Sequence, residues 1–182
     1  MPGQRVLLTY QDYAELPDDG RQYELHEGEL SVTPAPGTGH QRASGRLFRI
    51  VAEHVERHAL GEVFYAPFDC ILSDTTVVQP DLVFLDTSSL SRLSERGLEG
   101  PPTLAVEIIS PYSARIDRVR KLQLYAQFGV PYYWIVAPDA RTVEAYTLVD
   151  KAYEPSGSVI LSTPGSLPPF ADLVLDPAAI WR

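Results

Sequence analysis

The sequence predicts an α+β domain, equally described as α/β, built on a central mixed β-sheet flanked by helices. Three observations lead there. Two long stretches carry helical periodicity and are separated by short strand-like runs. Residues 103–109 are apolar on nearly every position, the pattern of a central strand covered on both faces. No internal repeat or low-complexity linker interrupts the chain, so residues 1–182 are expected to form one domain.

The elements follow in order. Thr9 to Leu16 reads as a short helix with Thr9 as N-cap, stopped by Pro17 and the Asp19-Gly20 turn. Tyr23-Glu24-Leu25-His26, Glu27-Gly28 and Glu29-Leu30-Ser31-Val32 form a hairpin pattern closed by Pro34 and Pro36. From Thr38 to His58, Leu47, Ile50, Val51 and Val55 recur at helical spacing, and Gly61 ends that helix. Strands are expected at Val63–Ala66, Cys70–Leu72, Val77–Leu85 and Thr103–Ile109. A second helix runs from Ser113 to Phe128, with Gly129 as its stop. Strands at Tyr132–Val136, Thr142–Leu148 and Val159–Leu161 follow, joined by turns at Pro138-Asp139-Ala140 and Ser156-Gly157. The tail adds a short strand and a helical turn.

Composition narrows the function. The lone Cys70 excludes an internal disulfide, the first residues lack the apolar core of a signal peptide, and no apolar run approaches the ~18 residues of a membrane span. A soluble cytoplasmic protein with no membrane partner is the expectation. The net charge of −9 argues against broad, non-specific attraction to nucleic acid. Charge is unevenly placed, however. Arg115-Ile116-Asp117-Arg118-Val119-Arg120-Lys121 carries four positive charges and one negative, enough to hold a phosphate or to serve only as a solvated helix face.

Three charged residues stand where an apolar chain should not have them. Glu107 sits in Leu104-Ala105-Val106-Glu107-Ile108-Ile109, where desolvating a carboxylate is costly unless a cation, a metal ion or a proton neutralises it. It is either the buried partner of a basic side chain or a metal ligand, and the second reading is favoured because buried ionisable groups concentrate in functional sites. Asp81 follows Pro80, which cannot donate to a sheet ladder, so a strand starts there or carries a bulge. Alone it reads as a turn aspartate; the order of one carboxylate opening a strand and another within the next raises its standing. Lys121 falls on the helical arc of Leu124, Tyr125 and Phe128, opposite Arg120, Gln123 and Gln127. A snorkelling stem is the alternative to an inward role. Glu24 and His40 are weaker auxiliary candidates for the same cleft, His40 because a helix N-terminus favours anions. His26, His54 and His58 lack zinc-like spacing.

With these residues in place, the chain resembles the Uma-type family of restriction-endonuclease-like proteins, within the PD-(D/E)xK nuclease superfamily. The segments that carry the resemblance are Tyr23 to Leu30, His40, Gln79-Pro80-Asp81-Leu82-Val83, Val106 to Pro111, Lys121 to Ala126 and Gly129 to Val136. The resemblance implies a restriction-endonuclease-like core and Mg²⁺- or Mn²⁺-dependent endonucleolytic hydrolysis of DNA. It implies metal ligation by Asp81, Glu107 and the backbone carbonyl of Ile108. The lysine of the superfamily pattern, two residues after the glutamate, is Ile109 here, and Lys121 takes its place.

In this reading Asp81, Glu107 and Lys121 are the catalytic residues, and Arg115 and Arg118 steer the phosphate backbone. DNA is the implied partner, held weakly through the local basic patch, and a homodimer is left open. Two rivals stand beside it. One is a non-catalytic nucleic-acid or protein-binding module that keeps the nuclease fold. The other is a metal-free hydrolase whose paired carboxylates act as acid and base, as in glycosidases.

Overall fold

A computed structural model describes residues 6–109 and 116–181, the side chains of residues 116–118 excepted. Its elements are α1 (Tyr10–Ala14), β1 (Gln22–His26), β2 (Glu29–Thr33), α2 (Thr38–Arg57), β3 (Gly61–Tyr65), β4 (Cys70–Ser73), β5 (Thr76–Val78) and β6 (Leu82–Asp86). A 3₁₀ turn at Ser89–Arg92 leads to β7 (Leu93–Ser94), β8 (Gly97–Glu99), β9 (Leu104–Ile108) and α3 (Ile116–Gln127). The chain then forms β10 (Tyr132–Ala137), β11 (Thr142–Val149), β12 (Ala152–Ile160), β13 (Gly165–Leu167), β14 (Phe170–Leu175) and α4 (Pro177–Ile180).

The expected central mixed sheet has the order β12-β11-β10-β9-β6-β3. β9 and β10 are parallel, with α3 between them in sequence, and the other neighbours are antiparallel. Side chains alternate across each strand, so β9 presents Leu104, Val106 and Ile108 to one face and Ala105 and Glu107 to the other. The first face packs on the α2 stripe of Ala43, Leu47, Val51 and Val55 and on the C-terminal ribbon β13-β14. The second packs on Leu124 and Tyr125 of α3 and on Cys70, Val78 and Leu98. Those last three belong to a second six-stranded sheet, β2-β1-β5-β4-β8-β7, which local sequence patterns did not separate from the first.

Three further differences have local causes. The run Val77–Leu85 is two strands in two sheets: Pro80 has no N–H to continue the β5 ladder, and the chain crosses from one sheet to the other at Gln79-Pro80-Asp81. Gly61 opens β3 instead of ending α2. Its φ of +146° brings it so close to the Leu85 carbonyl that an added Cβ would lie 1.9 Å from that oxygen. Ser156-Gly157 is no turn but the site of a register shift within β12; the turn is at Asp150-Lys151, both at positive φ. At the start of the chain Thr9 does cap α1, its N–H and hydroxyl both donating to Asp12 at 2.8 Å. Among the described residues, no helix is long and apolar enough to cross a membrane.

Candidate active site

The crossover at Pro80 places the charged residues. β1 enters the second sheet with Glu24 and His26 on one face, two residues apart, and both are buried. Beyond Val78 the β5 ladder can no longer be extended, and the Gln79 N–H donates to Glu24 Oε1 at 2.8 Å instead. Two residues later Asp81 stands immediately before β6, and its Oδ2 accepts the Ile108 N–H at 2.7 Å, locking it to the end of β9. Asp81 Oδ1 meets His40 Nε2, from the first turn of α2, at 3.1 Å.

Glu107 is 8% exposed, on the sheet face that α3 covers. Its Oε1 accepts from Lys121 Nζ at 2.8 Å and from the Tyr125 hydroxyl at 2.6 Å. Lys121 also donates to Glu24 Oε1 at 3.3 Å. The helical arc expected from phase alone therefore turns inward: Leu124 and Tyr125 are buried, while Arg120, Gln123 and Gln127 face solvent. Glu24, His40, Asp81, Glu107, Ile108 and Lys121 border one cleft of about 410 Å³.

The electrostatics follow from one ammonium serving three carboxylates. Burial raises the Glu107 carboxyl to about 7; Lys121 opposes the shift, and the Asp81 and Glu24 carboxylates add to it. Burial acts in the same sense on Glu24, but Lys121, the His26 ring and the Gln79 N–H outweigh it and hold that carboxyl below its ordinary range. Burial disfavours the Lys121 cation, yet Glu107 and Glu24 prevail and raise its pKa. His40 follows the same logic, its desolvation outweighed by Asp81 and Glu107, so its pKa rises as well.

Five of the candidate residues, Asp81, Glu107, Lys121, Glu24 and His40, border the cleft together. Of the phosphate-binding candidates, Arg115 and the side chain of Arg118 lie outside the described residues. The other two cations of the basic run are engaged. Lys121 serves Glu107 and Glu24, and Arg120 pairs with Glu29 at 3.2 Å, so neither adds to a free positive patch. Tyr125, Gln79 and His26 were not singled out. Tyr125 could have been, because it lies one helical turn from Lys121 on the same arc; the other two act through Glu24, His26 from the same strand and Gln79 from the end of the neighbouring one.

The donor set fits a hard divalent ion held by few protein ligands. Among the described residues no group of three or more His, Cys, Asp or Glu side chains is arranged to hold a metal, which disfavours an all-protein cage. Two carboxylates beside one cleft match the Mg²⁺ habit of one or two carboxylates completed by water and phosphate. Among the described residues, His26 Nδ1, His40 Nδ1 and Gln79 Oε1 are buried without a hydrogen-bond partner, and all three residues border this cleft. Unpartnered polar atoms gathered at one cleft fit a place that takes polar ligands.

Sheet order and crossover helix define a restriction-endonuclease-like fold. A crystal structure from Anabaena variabilis, described as a putative nuclease belonging to DUF820, matches it with a TM-score of 0.78 at 20% sequence identity, covering 96% of this chain and 97% of that one. The family described as "Uma2: Putative restriction endonuclease" matches residues 10–177, and the chain belongs to that family. No curated protein matches the chain.

Proposed function

We propose that the protein is a divalent-metal-dependent nuclease that hydrolyses phosphodiester bonds of DNA in the cleft between Asp81 and Glu107. The observation that carries this reading is the excess of carboxylate over permanent cation at one cleft: a single lysine, Lys121, bridges Glu24 and Glu107, the titratable His26 and His40 stand beside Glu24 and Asp81, and Asp81 is close enough to raise the Glu107 pKa further. A divalent ion would remove that excess.

Asp81 and Glu107 would hold Mg²⁺ or Mn²⁺, with the Ile108 carbonyl as a further ligand. When bound, the ion supplies neutralisation of phosphate charge and acidifies the attacking water. Lys121 has three N–H donors; two are directed to Glu107 and Glu24, and the third would stabilise charge developing on the phosphoryl oxygens. Its tether to two buried carboxylates fixes that ammonium, a preorganisation that solvent cannot provide. Tyr125 and His40 are positioning residues for Glu107 and Asp81. Glu24 positions Lys121 from the opposite sheet. Arg115, immediately before α3 in sequence, and Arg118, within it, would guide the incoming strand.

Incubation of supercoiled and single-stranded DNA with the protein and Mg²⁺ or Mn²⁺ tests the reading. Cleavage that needs the metal and disappears in Glu107→Ala is expected. Cleavage that persists in a chelator would favour metal-free acid–base chemistry, and metal binding without any cleavage would favour a non-catalytic module.

A further inference from the structure

Beside the cleft lies a larger groove of about 850 Å³, lined by Tyr10, Tyr13, Tyr23, Phe48 and Tyr65. The two spaces share Gln22, Ala35, Pro36, His40, Gln79 and Asp81, so the groove opens directly onto the candidate metal ligand Asp81. Tyr65 closes β3 and pairs in register with Leu82, the residue after Asp81, while the next residue, Ala66, donates its N–H to the Asp81 carbonyl at 3.1 Å. The Tyr65 backbone therefore runs one strand spacing, roughly 5 Å, from the backbone that leads out of the carboxylate-bearing Asp81. Phe48 of α2 meets Tyr65 edge to face, with centroids 4.9 Å apart. Tyr65 is nevertheless 60% exposed, so much of its ring remains uncovered.

The charge around the groove is the second observation. Among the described residues Arg21 is the one arginine or lysine in its lining, and it is bonded to Asp19. Asp18, Asp69 and Asp81 also line it. A duplex-binding track needs several basic side chains to neutralise successive phosphates, and this groove lacks them. Its floor is polar and ordered. Tyr13 and the Gln79 amide donate to Asp69 Oδ1 at 2.8 and 2.7 Å, and Gln79 Oε1 remains as a buried acceptor without a partner. Aromatic walls, a polar floor and few cations suit the face and edge of an unpaired base better than a phosphate backbone.

We propose that this groove takes an unpaired nucleobase of the strand whose phosphate lies at Asp81, so that the substrate is single-stranded DNA or a strand splayed at the cleavage point. The inference rests on the nuclease reading for the role of the neighbouring cleft, but binding in the groove is separable from hydrolysis. Tyr65 forms the stacking surface, Phe48 sets its ring, and Gln79 with Asp69 faces the base edge. The stacking energy is sequence-tolerant, so no strong sequence preference arises from this groove.

Fluorescence anisotropy of a labelled oligonucleotide, as a single strand and as a blunt duplex of equal length, tests this with Ca²⁺ in place of Mg²⁺. The single strand is expected to bind at least about tenfold more tightly than the duplex. Tyr65→Ala should weaken the single strand about tenfold, with little change for the duplex, and Tyr65→Trp should preserve binding. Because Tyr65 is largely exposed, its replacement leaves the core intact, which the melting temperature of each variant verifies. Equal affinity for both forms, or single-strand affinity indifferent to Tyr65→Ala, would overturn the proposal. The arms separate it from the nuclease reading: Tyr65-dependent binding by a protein that cleaves nothing sinks only the latter, and cleavage with Tyr65-independent binding sinks only the former.

Discussion

Lys121 and Tyr125, one turn apart on α3, converge on the same oxygen of Glu107, at 2.8 and 2.6 Å. One donor carries a charge and the other does not, so their removal should have different consequences.

Lys121→Ala takes the cation away from two buried carboxylates. Breaking a buried ion pair by deleting one partner typically costs about 3–5 kcal/mol, and the lower end is expected because Glu107 can take up a proton. The loss should be larger at pH 8 than at pH 6, where protonation substitutes for the ammonium. Urea denaturation at both pH values measures it. Lys121→Met, which keeps most of the stem, should bind metal and yet lack cleavage; full cleavage by that variant would remove the ammonium from the mechanism.

Tyr125→Phe keeps the buried ring and deletes one hydrogen bond to a carboxylate, a loss of about 2 kcal/mol. Without that donor the ionised form of Glu107 is less favoured, and its pKa rises further. The pH–rate profile of metal-dependent cleavage should therefore move to higher pH while metal stoichiometry is unchanged. A stability loss with an unmoved profile would make Tyr125 a packing residue only.

Glu107 also couples metal, proton and stability. Its folded pKa lies above the unfolded value of 4.5, raised to about 7 by burial and by neighbouring carboxylates. Between those values the folded protein keeps a proton that the unfolded chain releases, so this group's contribution to stability falls as pH rises through the window. Glu24 has the opposite sign: its folded pKa is depressed, and its contribution is present above the ordinary carboxylate value and lost as pH falls below it. Metal held by Glu107 must displace its proton. Calorimetry with Mg²⁺ in two buffers of different ionisation heat should show proton release near pH 6 that fades near pH 8 and vanishes in Glu107→Gln. The same release at both pH values would locate the ion elsewhere.

Much of this site could be read locally. A glutamate inside Leu-Ala-Val-Glu-Ile-Ile is conspicuous because its neighbours demand burial, and Lys121 is conspicuous because helical phase is a property of adjacent residues. Glu24 is different. Nothing within β1 indicates that its carboxylate will meet an ammonium 97 positions away, since that contact depends on how α3 lies over the seam. The Val77–Leu85 run misleads for a related reason: both halves have strand composition, and only the missing N–H of Pro80 signals that they serve different sheets. The basic run likewise looks unopposed in sequence because Glu29, which pairs with Arg120, lies 91 positions away.

The crossing at Gln79-Pro80-Asp81 has a consequence for the life of the chain before it is fully folded. Glu24 arrives with one sheet and Glu107 with the other, and the Lys121 ammonium finds both partners only when the two sheets are in place. A chain with either half assembled alone would have carboxylates but no cleft. Hydrolytic capacity would then appear with the last docking step and disappear with the first loosening of the seam, so that an incomplete or damaged copy is chemically silent.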